Sequence, residues 1–201
     1  ANAIAKKQCS KGILICGTGT GMVIAANKID VQGSEMYLRN LKDHFKEYLI
    51  IPCSADSEIA LKEATKHNLI KYIPGEDDFI IIDEKKLNQN QLNALNYIKN
   101  NVLKMYGSTG VQDVLNHSVF DLLKYVAIFP GGLTNLADKD GNIIPDCFLM
   151  PPNSTALDFA YRVHTDIGKK FVKAIDVKRR IPIGKDHLLK DRDVVEIKIS
   201  N

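Results

Sequence analysis

The chain has 201 residues, enough for one large domain or two small ones, and can bury a core without staples. Its 45% hydrophobic and 25% charged residues are the balance of a globular protein, and 27 basic against 24 acidic residues, a net +3, is too mild to argue nucleic-acid binding. The four cysteines, Cys9, Cys16, Cys53 and Cys147, show no C-x-x-C spacing. That speaks against zinc or dithiol chemistry and fits a reducing, cytoplasmic compartment. No stretch approaches the ~18 apolar residues that span a bilayer, and the first eight residues hold no apolar signal core, so no membrane partner is expected.

Residues 12–16 (GILIC) predict a buried strand that runs into Gly17-Thr18-Gly19-Thr20-Gly21. In the apolar run 22–26, Val23-Ile24 favours strand and Ala25-Ala26 favours helix. Met36, Leu38, Leu41 and Phe45 predict a helix over 34–47 with Ser34 as its N-cap. Residues 48–53 (YLIIPC) read as a strand, and Ser57 opens a helix with Ile59, Leu61 and Ala64 apolar. Pro74-Gly75 and Glu76-Asp77-Asp78 mark a loop before a short strand at 79–82. A helix is expected over 88–105, with Leu92, Leu95, Ile98, Val102 and Met105 on one face. Gly107-Ser108-Thr109-Gly110 breaks it, a helix follows over 111–122, and 125–129 form a strand.

The character changes after Pro130-Gly131-Gly132. Short strands, one helix at 155–164 with Leu157, Ala160 and Val163 inward, and further strands suggest a small β-grasp module. The expected division is therefore 1–135 and 141–201. Residues 169–192 carry Lys169, Lys170, Lys173, Lys178, Arg179, Arg180, Lys185, Lys190 and Arg192, a local basic surface. On residue type alone these lysines and arginines fit a solvated face as well as a binding one.

The chemistry-bearing signal is Asn27-Lys28-Ile29-Asp30, directly after an apolar run, which fits the N-K-x-D motif of P-loop GTPases. Guanine presents donors at N1 and N2, and one carboxylate, Asp30, can accept from both. Adenine lacks the N2 donor and leaves that carboxylate under-satisfied. Asn27 can bond the N7/O6 side of the base or tie loops together, and the stem of Lys28 can cover the base. Ser54-Ala55-Asp56 follows the next strand, where GTPases carry an S-A-x motif whose backbone N–H groups meet guanine O6. Two strand-end loops converging on a base is the rule for open α/β sheets. The bland alternative is that Asn27 and Ser54 are ordinary strand-end caps.

Segments MVIAANKID, IIPCSADSEIALKEA, LIKYIPG, YGSTGVQDVLNHSVFDLLKY and LADKDGNIIPDCFLM, in that order, resemble the Obg-related YchF family of GTPases. STALDFAYRVHTDIG is in addition similar to the signature of TGS domains. The resemblance implies an α/β fold, a partial P-loop-GTPase-like three-layer sheet with a C-terminal ubiquitin-like β-grasp. It implies GTP or GDP as ligand and a ribosome or RNA partner reached through the TGS module and the 169–192 cluster. Asp30, where many YchF relatives carry Glu and prefer ATP, argues for GTP. His164 and Asp166 read as structural. The chain contains no G-x-x-x-x-G-K-[ST] loop, and Mg²⁺ is expected only where such a loop exists, so weak binding and little or no hydrolysis are expected.

KGILICGTGTGMVIAANK (11–28) resembles a second family, the type B ribose-5-phosphate isomerases. That resemblance implies Cys16 as the base for proton transfer, Thr18 in binding or ring opening, and Gly17, Gly19 and Gly21 as an anion nest. It also implies that residues 21–28 begin a helix, whereas the GTPase resemblance needs 22–26 as a strand delivering Asn27 and Asp30. The chain reads as a mosaic joined at IAANK, with the strand favoured because Ser54-Ala55-Asp56 requires it.

Overall fold

The computed structural model describes residues 13–16, 22–134, 136, 141, 143 and 146–200. They form two units, divided between Leu122 and Leu123.

In the first unit, β1 (Ile13–Cys16) pairs antiparallel with β2 (Met22–Asn27). A crossover helix, α1 (Ser34–His44), returns the chain so that β3 (Leu49–Cys53) pairs parallel with β2. The run at 22–27 is therefore a strand, not the helix of the isomerase-like reading. Its alternation explains why. Ala26 and Ile50 face Leu41 of α1, while Val23, Ala25, Ile51 and Cys53 face Val114 of α5 (Val111–Asn116). A strand with both faces buried is apolar throughout. Helices on either side of the sheet give the three layers expected.

The rest of the unit gathers around α2 (Ala55–Lys66). A two-stranded ribbon, β4 (Ile70–Lys71) with β5 (Ile80–Ile81), is followed by α3 (Gln89–Ile98). Helix α3 opens on an Asn88/Gln91 capping box. A π-helical stretch, Lys99–Leu103, connects it to α4 (Lys104–Tyr106). Leu61, Ile70, Leu95, Ile98, Val102 and Leu103 share one core with Ile29. The wider π turn brings adjacent Val102 and Leu103 both inward and leaves Met105 exposed, contrary to the 3.6-residue expectation.

Two expected helix starts are displaced. Gly33, at φ 82°, precedes α1, and Ser34 is its first residue. Ser54 rather than Ser57 starts α2, its side chain accepting from the Ser57 N–H.

In the second unit, β6 (Val126–Pro130), β7 (Phe148–Met150), β8 (Phe171–Asp176), β9 (Ile181–Ile183) and β10 (Val194–Ile199) form one sheet in the order β7-β6-β10-β8-β9. Strand β6 pairs with β7 and β10, so by packing the unit begins before the 131–141 stretch where composition changes. Helix α6 (Ala156–Val163) is opened by a Thr155/Asp158 capping box. It buries Ala156, Phe159 and Ala160, and half-buried Val163 packs against the same core, whereas Leu157 is half-buried outside it. Phe159 meets Phe148 edge-on, their ring centroids 5.7 Å apart. Short α7 (Thr165–Lys169) follows, capped by His164, which accepts from the Asp166 N–H at 3.1 Å. All nine basic residues of 169–192 are exposed. Arg179 pairs with Asp176 at 3.6 Å, Arg192 pairs with Asp191 at 3.5 Å, and Lys178 donates to the Arg192 carbonyl.

Candidate functional site

The parallel register sets Asn27 opposite Cys53, so the segments that leave β2 and β3 emerge side by side. The structure brings all six residues singled out from the sequence together there. Asn27 Oδ1 accepts from the Ala55 N–H at 3.0 Å, so its side chain ties the two loops. Ser54 Oγ donates to Asp30 Oδ1 at 2.7 Å. Lys28 Nζ reaches Asp56 Oδ2 at 3.1 Å. One oxygen of the Asp30 carboxylate is thus oriented by a hydroxyl, at the end where the first turn of α2 presents backbone N–H groups. The Ala55 N–H, expected to face a base, is here spent on Asn27.

The loop is held by its apolar residue. Lys28 takes φ 74°, a left-handed turn that swings Ile29 inward. Ile29 is 4% exposed, and burial of such a side chain stabilises by about 2 kcal/mol. The Lys28–Asp56 pair, with Asp56 69% exposed, contributes roughly 0–1 kcal/mol. Packing of Ile29 therefore anchors the loop, and the ion pair only decorates it. The Ile29 N–H donates to the Cys53 carbonyl at 3.2 Å, and the Ser34 hydroxyl donates to the Ile29 carbonyl at 2.8 Å.

Beneath the second loop lies a polar network absent from the sequence expectations. Glu58, buried on α2, accepts from Tyr72 at 2.8 Å and from Thr109 Oγ1 at 2.6 Å through the same oxygen, Oε2. The Thr109 carbonyl accepts from the Ser54 N–H at 2.8 Å. The G-S-T-G turn is thereby a brace for Ser54. Gly110 shows how close it lies: at φ 76°, a Cβ would sit 1.8 Å from the Pro52 carbonyl oxygen. The signal was present in the two glycines of GSTG and in an acidic residue two positions after the S-A-D loop, but only the fold joins them.

Burial pushes the Tyr72 hydroxyl up to about 12, reinforced by its hydrogen bond to Glu58 and that carboxylate's charge. Burial likewise raises the Cys53 thiol to about 11, with Glu58 and Asp30 adding to the shift. The Cys53 thiol is therefore held protonated at physiological pH, within the core beneath the site. Among the described residues no cluster of His, Cys, Asp and Glu could hold a metal ion. Cys16 closes β1, and Gly17, Thr18, Gly19 and Gly21 lie outside the described residues.

Comparison with known proteins adds the family. Residues 25–131, more than half the chain, match the family described as Obg-like GTPase YGR210-like, G4 motif-containing domain. The chain belongs to this family. Residues 135–199 match the TGS domain, a ubiquitin-like β-grasp, and residues 1–32 match the ribose/galactose isomerase family. The last match overlaps the first at 25–32, which takes in the AANK of the shared IAANK segment.

An uncharacterized GTP-binding protein of Methanocaldococcus jannaschii, MJ1332, is 48% identical over 177 residues, covering 88% of this chain and 44% of that protein. An uncharacterized GTP-binding protein of Schizosaccharomyces pombe, C428.15, is 30% identical over 142 residues, covering 67% of the chain and 34% of its own length. The crystal structure of a GTP-binding protein from Pyrococcus horikoshii OT3 superposes with a TM-score of 0.61 at 38% identity, covering 89% of this chain and 45% of that one. The chain thus spans less than half the length of these relatives. No described helix is long and apolar enough to cross a membrane.

The Tyr72–Glu58 contact generates a pH prediction. A tyrosine raised from 10.0 to about 12 contributes stability that is fully present below pH 10 and lost as pH rises through about 12. Denaturant unfolding between those limits should show that loss, and Tyr72→Phe should flatten it. An identical alkaline slope in Tyr72→Phe would contradict the assignment.

Proposed function

We propose that this chain is the base-recognising portion of an Obg/YchF-type GTP-binding protein, associated with translation through its TGS module. The observation that carries the reading is the convergence of Asn27, Lys28 and Asp30 with Ser54, Ala55 and Asp56 at the carboxyl ends of two parallel strands. The Asp30 carboxylate, steadied by Ser54, would accept from guanine N1–H and N2–H. Asn27 would hold the two loops at a fixed separation, and the stem of Lys28, pinned by Asp56, would cover the base edge. The relatives named as GTP-binding proteins support the ligand class.

The 201 residues hold no G-x-x-x-x-G-K-[ST] segment. Phosphate and Mg²⁺ contacts of that kind are then not made by these residues, and this chain taken alone should bind guanine nucleotides weakly and hydrolyse little. The isomerase alternative is disfavoured by the strand at 22–27, which occupies the place of the required helix.

The base contacts can be tested by exchanging their polarity. Xanthine replaces the guanine 2-amino donor with a carbonyl acceptor. An Asp30→Asn side chain offers one acceptor and one donor, matching xanthine N1–H and C2=O. Asp30→Asn should weaken GDP binding by about 10-fold or more and favour XDP, a change of roughly 1.4 kcal/mol or more. Unaltered GDP/XDP selectivity would remove Asp30 from the site.

The nine exposed basic residues of 169–192 are the proposed RNA or ribosome contact. Affinity for a structured RNA should fall steeply and log-linearly with salt, and charge reversal of Lys178, Arg180 and Lys185 should flatten that slope. Salt-insensitive binding would return the cluster to a solvated face.

A further inference from the structure

We propose that Tyr97 of α3 is a positioning residue for the base site and sets its discrimination between guanine and hypoxanthine. The inference rests on the base-recognition reading above. The Tyr97 hydroxyl donates to the backbone carbonyl of Asp30, across 67 positions of sequence. The next residue on the helix, Ile98, is buried in the same core as Ile29. Consecutive residues of α3 thus hold consecutive residues of the loop: Ile98 shares the core of Ile29, and Tyr97 bonds Asp30.

The carboxylate is fixed at two ends. Ser54 donates to Oδ1, and Tyr97 fixes the peptide from which the side chain springs. Within the loop, the Val31 N–H donates to the Lys28 carbonyl at 3.2 Å, closing the turn that aims Asp30. Tyr97 is 47% exposed, so its ring adds little to the core. Its built-in role is the hydroxyl.

The consequence is specific to bidentate recognition. Guanine engages the carboxylate through N1–H and N2–H together, and hypoxanthine through N1–H alone. A loop free to tilt loses the two-point contact before it loses the one-point contact. Removing the hydroxyl should therefore weaken GDP more than IDP. A purely structural defect would weaken both alike.

The test is Tyr97→Phe in the full chain, titrated calorimetrically with GDP and IDP, with Tyr37→Phe, also 47% exposed, as control. Tyr97→Phe should lower GDP affinity by about 3- to 10-fold, shrink the GDP/IDP preference by about 3-fold and leave Tm within about 2 °C. The control should change neither. Backbone amide exchange at Ile29 and Val31 should accelerate by about 3-fold or more in Tyr97→Phe. An unchanged GDP/IDP preference, or equal losses for both nucleotides, overturns the proposal. Wild-type chain that binds neither nucleotide removes the function on which discrimination rests. The exchange rates then decide the positioning role by themselves: accelerated exchange upholds it and unchanged exchange overturns it.

Discussion

The site depends on one constraint, the parallel pairing of β2 with β3 in the register that sets Asn27 opposite Cys53. Parallel strands need a crossover, supplied by α1, and they end at the same edge of the sheet. Slipping the register by one residue would turn Ile50 and Ile51 to the wrong faces, against the wrong helices. Burial on both faces therefore fixes the register, and the register places the N-K-I-D and S-A-D segments in hydrogen-bond reach. Everything chemical at that edge is a consequence of apolar packing below it.

The polar brace is the second layer of the account. Glu58 is a buried carboxyl side chain with two hydroxyl donors, and a third link runs from the Thr109 carbonyl to the Ser54 N–H. Such a network costs desolvation when any partner is lost, so it rigidifies the loop it touches. Ser54 receives that rigidity and passes it to Asp30. Ile98 and Tyr97 of α3 hold the opposite loop, one sharing a core with Ile29 and the other bonding the Asp30 carbonyl. The two halves of the site thus stand on different supports, joined by Asn27 and Ser54.

Much of this was legible in the sequence because the signals are local. Two short motifs after two apolar runs announced the loops, and STALDFAYRVHTDIG announced the β-grasp. The supports were not legible, since Glu58 meets Thr109 across 51 positions and Tyr97 meets Asp30 across 67. Periodicity misplaced Met105 because a π turn changes the residues per turn, which no 3.6-residue pattern encodes. Ser34 was a plausible cap and Ser57 a plausible helix start by residue type. Gly33 and Ser54 hold those positions because the preceding turn and strand end there. Phe159 was passed over in favour of Leu157, a shift of one helix face that only the sheet beneath α6 decides.

Calorimetric titration of the purified chain with GDP, GTP and ATP in the presence of Mg²⁺ tests the central claim most directly. Weak but measurable binding of both guanine nucleotides, and none of ATP, is expected. ATP binding as tight as GTP binding, or no binding of guanine nucleotides at any accessible concentration, would contradict it.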